Sequence, residues 1–269
     1  MIINSFYRYF IRKNFRFILF CIIFLVPNNS VANFQEGLKA YYSKDYSKAQ
    51  RIWERTADAG DKEAQAYLGR MHFKGEGIKQ DYKKAREWYL RAAENGYAAA
   101  QYRLGKIYAR GYGIKRDPEI AFGWYQKAAG QGYAPAQNEL GWAYKKGIGV
   151  AKNYQTAVIW IKRAAEQEYS EAMHNLARLF DSGLIKEEEN DVKMILYQTA
   201  AARGSLNAQY SLGEKYSGDT KNAPDYRTAA KWYLKAARLG LAKAQFRLAS
   251  LYFEGKGVAQ NDNKAFRWF

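Results

Sequence analysis

The chain has 269 residues, 48% hydrophobic and 16% aromatic with only four prolines, so it carries enough apolar surface to fold and is not a disordered segment. Lysine and arginine number 43 against 26 acidic residues, a formal charge of +17, which favours acidic proteins, anionic lipid, nucleic acid or anionic wall polymer without choosing among them. A single cysteine, Cys21, and two histidines, His72 and His174, exclude an intramolecular disulfide and any Cys- or His-rich metal cluster.

Residues 1–32 read as an export signal. Arg8, Arg12, Lys13 and Arg16 precede the apolar run Phe17 to Val26, and Ser30-Val31-Ala32 supplies the small residues that a signal peptidase reads. The run is half the roughly 20 apolar residues of a spanning helix. Cleavage near Ala32 is expected, and an uncleaved inner-membrane anchor is the alternative. Cys21 lacks the preceding small residues of a lipoprotein box. An exported chain left without cysteine reads as bacterial, periplasmic or secreted.

Residues 33–63 form an opening partial repeat. Ala49 and Gly60 fall in the columns of the units that follow, Trp53 stands one place late, and the turn Ser43-Lys44-Asp45 is brief. From residue 64 to 269 the chain holds five full repeats and an incomplete sixth. Ala64, Ala100, Ala136, Ala172, Ala208 and Ala244 mark position 0 of each, and the period is 36 residues. Position 4 is Leu68, Leu104, Leu140, Leu176, Leu212 and Leu248. Position 5 is glycine or alanine, as in Gly69 and Ala177. Position 8 is His72, Tyr108, Tyr144, Phe180, Tyr216 and Tyr252. The spacing 0, 4, 8 predicts one packed face of a helix.

Paired glycines such as Gly75 and Gly77, or Gly147 and Gly149, end that helix and predict a turn with positive φ. Asp81, Asp117, Asn153, Asp225 and Asn261 then predict N-caps of a second helix. Its packed stripe reads Ala85-Trp88-Ala92, Ala121-Trp124-Ala128 and Ala229-Trp232-Ala236, with the tryptophan at position 24 expected to fill much of each junction. Gly96, Gly132, Gly204 and Gly240 close it. The expected fold is therefore all-α, an α/α solenoid in which stacking buries what no single helix pair can bury.

The unit from Ala172 departs from this pattern. Ile185 replaces the second glycine, Lys193 the small alanine and Leu196 the tryptophan, and an acidic run spans Glu187 to Asp191. The next unit has Asp219 and Lys221 for its glycines, and Glu168 replaces a closing glycine. Drift in tolerant loops is one reading, and a functional joint near 181–191 the other. The last unit stops at Trp268-Phe269 inside its second helix without a polar cap, which reads as a truncated array or as an end that docks.

The columns from Ala64 to Gly96, Ala100 to Gly132 and Ala136 to Ala165 resemble the Sel-1-like repeat family, a relative of the tetratricopeptide repeat. The resemblance implies a right-handed superhelical solenoid that binds proteins or peptides along a concave surface. It also implies roles in envelope function, signalling regulation, or host interaction and virulence. In tetratricopeptide-like folds the first helix of each unit lines the concave side. That makes candidates of Tyr102, Asn138, His174 and Tyr210 at position 2, Arg70, Lys106, Trp142 and Arg178 at position 6, and Lys145 at position 9. Aromatic walls with basic heads suit an acidic peptide or a C-terminal carboxylate.

Catalytic residues are not expected. The G-x-G pairs follow no strand, so they are turns rather than phosphate loops. His174 has no neighbouring nucleophile in the sequence. Cysteine-rich relatives are described as binding or hydrolysing β-lactams, but they rely on a disulfide in each repeat, which is impossible here. A binder of anionic polymer, cell wall or nucleic acid, is the alternative function. No metal or cofactor is expected.

Overall fold

The computed structural model describes residues 29–184, 190–218 and 223–269. The basic and apolar stretches of the export signal, Cys21, Ile185, the glutamates of the acidic run, Asp219 and Lys221 lie outside the described residues. Fourteen helices and no strand occur among the described residues. They are α1 (Asn29–Tyr42), α2 (Tyr46–Asp58), α3 (Lys62–Lys74), α4 (Tyr82–Glu94), α5 (Ala98–Arg110), α6 (Pro118–Gly130), α7 (Ala134–Lys146), α8 (Tyr154–Glu166), α9 (Ser170–Asp181), α10 (Asn190–Ala202), α11 (Leu206–Gly218), α12 (Tyr226–Arg238), α13 (Ala242–Glu254) and α14 (Asp262–Trp268). The chain divides inside α5 into two compact units, Met1–Ala100 and Gln101–Phe269. Helices adjacent in sequence pack on one another from α1 to α4 in the first unit and from α6 to α14 in the second.

The expected caps form. Asp81, Asp117, Asn153, Asp225 and Asn261 each accept the backbone N–H three residues on, at 2.8–3.0 Å. Asp45 does the same for Lys48 in the opening unit, at 3.0 Å. Glu168, where a closing glycine was absent, still adopts φ 60°, so the turn keeps its left-handed backbone despite the side chain.

Two packing columns differ from expectation. In the first helices the fully buried set is positions 0, 4 and 7, for example Ala100, Leu104 and Ile107, while Tyr108, Tyr144 and Tyr216 at position 8 are half-buried. In the second helices the buried aromatic is the residue after the tryptophan: Tyr89, Tyr125, Tyr197 and Tyr233 are at most 6% exposed, and Ile161 replaces the ring in one unit. The small residue at position 5 exists for this side chain. A Cβ at Gly105 would meet the Tyr125 ring at 2.5 Å, and one at Gly213 would meet Tyr233 at 2.4 Å. The tryptophans at position 24 are only half-buried and lie under a cation one turn on: Arg91 over Trp88, Lys127 over Trp124, Arg163 over Trp160 and Lys235 over Trp232, 4.1–4.8 Å from the ring. Trp53 is therefore not out of place. It fills the buried aromatic column of the opening unit, fully enclosed and against Gly37.

A further column was not anticipated. Gln65, Gln137, Gln209 and Gln245 each donate to a backbone carbonyl eight residues earlier, at 2.9–3.3 Å. In three units a side-chain amide thirty residues on closes the rung: Asn95 to Gln65, Gln131 to Gln101 and Gln167 to Gln137, at 2.7–3.2 Å. At Gln209 the corresponding residue is Leu239, 64% exposed, and the Gln209 Oε1 is buried without a partner. Leu239→Gln should supply the missing donor and stabilise the chain by about 1 kcal/mol. An unchanged urea midpoint would refute this.

The degenerate unit has an internal logic. Lys193 and Lys215 stand in columns that are otherwise apolar, and both reach Asp181, at 3.4 and 3.1 Å. Tyr197 donates to the same carboxylate at 2.6 Å. Burial alone would raise the Asp181 pKa, but the hydrogen bonds from Tyr197 and Lys215 and both lysine charges outweigh it and hold the group ionised. Both cations in the packing columns thus share one acid as their partner, and Tyr197 remains buried.

Candidate peptide-binding groove

The first helices of the C-terminal unit line a groove of about 970 Å³. Its walls come from α5, α7, α9, α11 and α13, with Tyr125 of α6 and loop residues such as Tyr169. Lys106, Arg110, Arg116, Lys146, Arg178 and Lys243 face Glu139 and Glu171, so the lining is strongly basic. Glu171 is already engaged, accepting from Ser205 Oγ at 2.9 Å and Asn207 Nδ2 at 3.4 Å.

The floor consists of cross-repeat rungs that join position 2 of one unit to position 3 of the next. Asn175 Nδ2 donates to Asn138 Oδ1 at 2.8 Å, His174 Nε2 pairs with Ser211 Oγ at 3.0 Å, and the Arg247 guanidinium donates to the Tyr210 hydroxyl. Both asparagines and His174 are buried. Burial, helped by Arg178 and Lys243, pushes His174 down to about 4, so it is neutral at pH 7. Burial likewise lowers the Lys106 pKa and raises that of Glu139.

Six of the nine sequence candidates meet in this groove: Lys106, Asn138, Trp142, His174, Arg178 and Tyr210. Three do not line it. Arg70 belongs to the N-terminal unit, where it lies 5.3 Å over the Tyr41 ring and 3.6 Å from Glu76. Tyr102 is buried, 5.5 Å from the Tyr133 ring and 6.0 Å from Tyr125. Lys145 folds over Trp142 at 4.9 Å. Arg110, Glu139, Lys146 and Lys243 escaped the sequence reading. They stand at positions 10, 3, 10 and −1, which share a helical stripe with position 6, so a strict 3.6-residue period drawn through Lys106 and Arg178 would have found them.

The fold also gives His174 a neighbour that the sequence concealed, Ser211. Among the described residues no third member of a hydrolytic triad joins this pair. His174 Nδ1 is buried with no hydrogen-bond partner, so no third group fixes its tautomer. Ser211 lies in the second turn of α11, where its own backbone N–H belongs to the helix. Among the described residues no group of three His, Cys, Asp or Glu side chains could hold a metal.

The Sel1 repeat model matches seven consecutive stretches, residues 32–61, 62–97, 98–133, 134–169, 170–205, 206–241 and 242–269. The chain belongs to the Sel1 repeat family. Sel1 repeats build all-α solenoids of sequential helix pairs, and they generally serve as non-catalytic protein-interaction modules.

Among solved Sel1 proteins, the chain is similar to a Sel1 repeat protein from Oxalobacter formigenes, with 32% identity over 88% of this chain and 94% of the other and a TM-score of 0.76. It is also similar to c5321, a protective antigen present in uropathogenic Escherichia coli strains, with 33% identity, 90% of this chain covered and a TM-score of 0.75. The chain spans about half, 52%, of that antigen. The immunity protein PA5088 from Pseudomonas aeruginosa shares the fold at 20% identity, with 81% and 78% of the two chains covered and a TM-score of 0.55. No curated protein matches the chain significantly. Among the described residues no helix is long and apolar enough to cross a membrane.

Proposed function

We propose that this Sel1 repeat protein is an exported, non-catalytic adaptor that holds an acidic protein segment in the groove of its C-terminal unit. The observation that carries this reading is the lining: six cations against two carboxylates around one concavity, with Trp142, Tyr169 and Tyr210 supplying amphipathic walls. Export rests on the basic and apolar pattern of residues 1–32. A role in the envelope or at the host surface accords with the E. coli antigen that resembles it.

Reversing three cations of the lining, Lys106, Arg110 and Arg178, to glutamate in the full chain should weaken capture of an acidic peptide at least tenfold. Native affinity should also fall with added salt, and the triple variant should lose most of that dependence. Equal affinity in the triple variant would refute the groove. Binding that follows charge density alone, equal for polyglutamate and polyphosphate, would instead favour the anionic-polymer reading.

A further inference from the structure

The rungs of the groove floor follow a rule, and one of them breaks it. Position 2 of a unit bonds position 3 of the next in Asn138–Asn175, His174–Ser211 and Tyr210–Arg247. The corresponding pair Tyr102–Glu139 carries no hydrogen bond. Among the described residues the Glu139 carboxylate has no donor and no cation within 4.0 Å. It is half-buried on the groove wall, where Tyr125 and Tyr169 lie near enough to feel its charge. A carboxylate on a ligand-facing wall that no described group of the chain pairs with can meet a cation carried by a ligand. An ammonium or guanidinium group placed between this carboxylate and a tyrosine ring gains from the anion and the ring quadrupole together.

The chain's own cations do not fill this place. Lys106 and Arg110 lie near enough to act on Glu139 through space, but Lys106 Nζ rests 5.7 Å from the Tyr102 ring centroid and neither reaches the carboxylate. A free small cation would be repelled by the six basic residues of the lining. A cationic side chain carried within an acidic segment would not.

We infer that Glu139, with Tyr125 and Tyr169, forms a subsite for a lysine or arginine side chain flanked by acidic residues in the bound segment. This rests on the groove reading above and adds a specificity to it: the partner is recognised by a basic residue set among acidic ones.

Burial holds the Glu139 carboxyl above the usual carboxylate range, and Lys106 and Arg110 pull it back only in part. The native chain therefore keeps that proton to higher pH than the unfolded chain, and stability falls as pH rises through this window. Ionising this group is a cost in the free protein that Lys106 and Arg110 offset only in part. Glu139→Gln should accordingly melt at a higher temperature than native at pH 7. A lower melting temperature would mean that the carboxylate serves an internal ion pair, and would overturn the inference.

The decisive measurement is calorimetric titration of the full chain, native and E139Q, with two ten-residue glutamate peptides. One carries lysine at its centre and the other Nε-acetyl-lysine. Native protein should bind the lysine peptide about tenfold more tightly, and E139Q should bind both alike, near the affinity of native protein for the acetylated peptide. Equal binding of the two by native protein overturns the subsite while leaving the acidic-segment reading intact. A preference that persists in E139Q places lysine recognition elsewhere and also overturns it. No binding of either peptide refutes the groove reading and this inference with it.

Discussion

Gly149→Ala should destabilise the C-terminal unit by about 4 kcal/mol, while Gly147→Ala, two residues earlier, should cost about 1–2 kcal/mol. The two glycines share the same backbone angle, φ 69°. A left-handed residue with a side chain carries only the conformational penalty at Gly147, where a new Cβ would rest 3.5 Å from Lys152 Cβ in ordinary contact. At Gly149 the same Cβ would lie 2.1 Å from the carbonyl oxygen of Pro118 and 3.0 Å from the Glu119 nitrogen. These are backbone atoms at the start of α6, in the preceding repeat, and they cannot rotate aside. Either α8 and its turn move away from α6, or the turn unfolds locally. Gly257 repeats the arrangement against Tyr226, with a Cβ contact of 2.2 Å to its carbonyl carbon. Urea unfolding of the two variants at equal slope is the measurement. Equal losses would show that the second glycine serves only the turn and not the stacking of repeats.

The second large effect concerns which aromatic holds a junction together. Tyr233→Ala should cost about 3–5 kcal/mol, and its neighbour Trp232→Ala about 1–2 kcal/mol, although tryptophan is the larger side chain. Tyr233 is 1% exposed, covers Gly213, and its hydroxyl donates to Glu214 while lying 3.1 Å from Ser217 Oγ. Its loss leaves a cavity and a carboxylate that retains only Arg247, at 2.9 Å. Trp232 is half-buried, and one face meets the Lys235 ammonium at 4.1 Å rather than the core. Thermal unfolding of the two variants decides the matter. A greater loss for W232A would restore the tryptophan column as the main packing element.

These expectations mark what could be read from the residues and what could not. The 36-residue period, the alternation of two helices per unit, the Asp and Asn caps and the left-handed glycines are local properties. Each depends on a backbone conformation or on a partner three or four residues away, so the sequence by itself determined them. Even the Sel1 kinship was visible there, because its columns recur in register.

The tertiary structure decided everything that depends on which neighbour a side chain meets. Trp88 and Tyr89 differ by one residue, or about 100° around a helix, and both directions are apolar enough to be core candidates. Only Gly69, whose missing Cβ admits the Tyr89 ring, selects between them. The Asn138–Asn175 and His174–Ser211 rungs join residues 37 apart, one more than the period, so the next unit is engaged one residue further along its helix. A column-by-column reading of a single unit does not contain that offset. The same displacement sets Glu139 opposite Tyr102, and no hydrogen bond joins the two. The repeat thus determined that a groove would exist and be basic. The contact between one repeat and the next decided that its floor is closed by hydrogen bonds at three rungs and open at one.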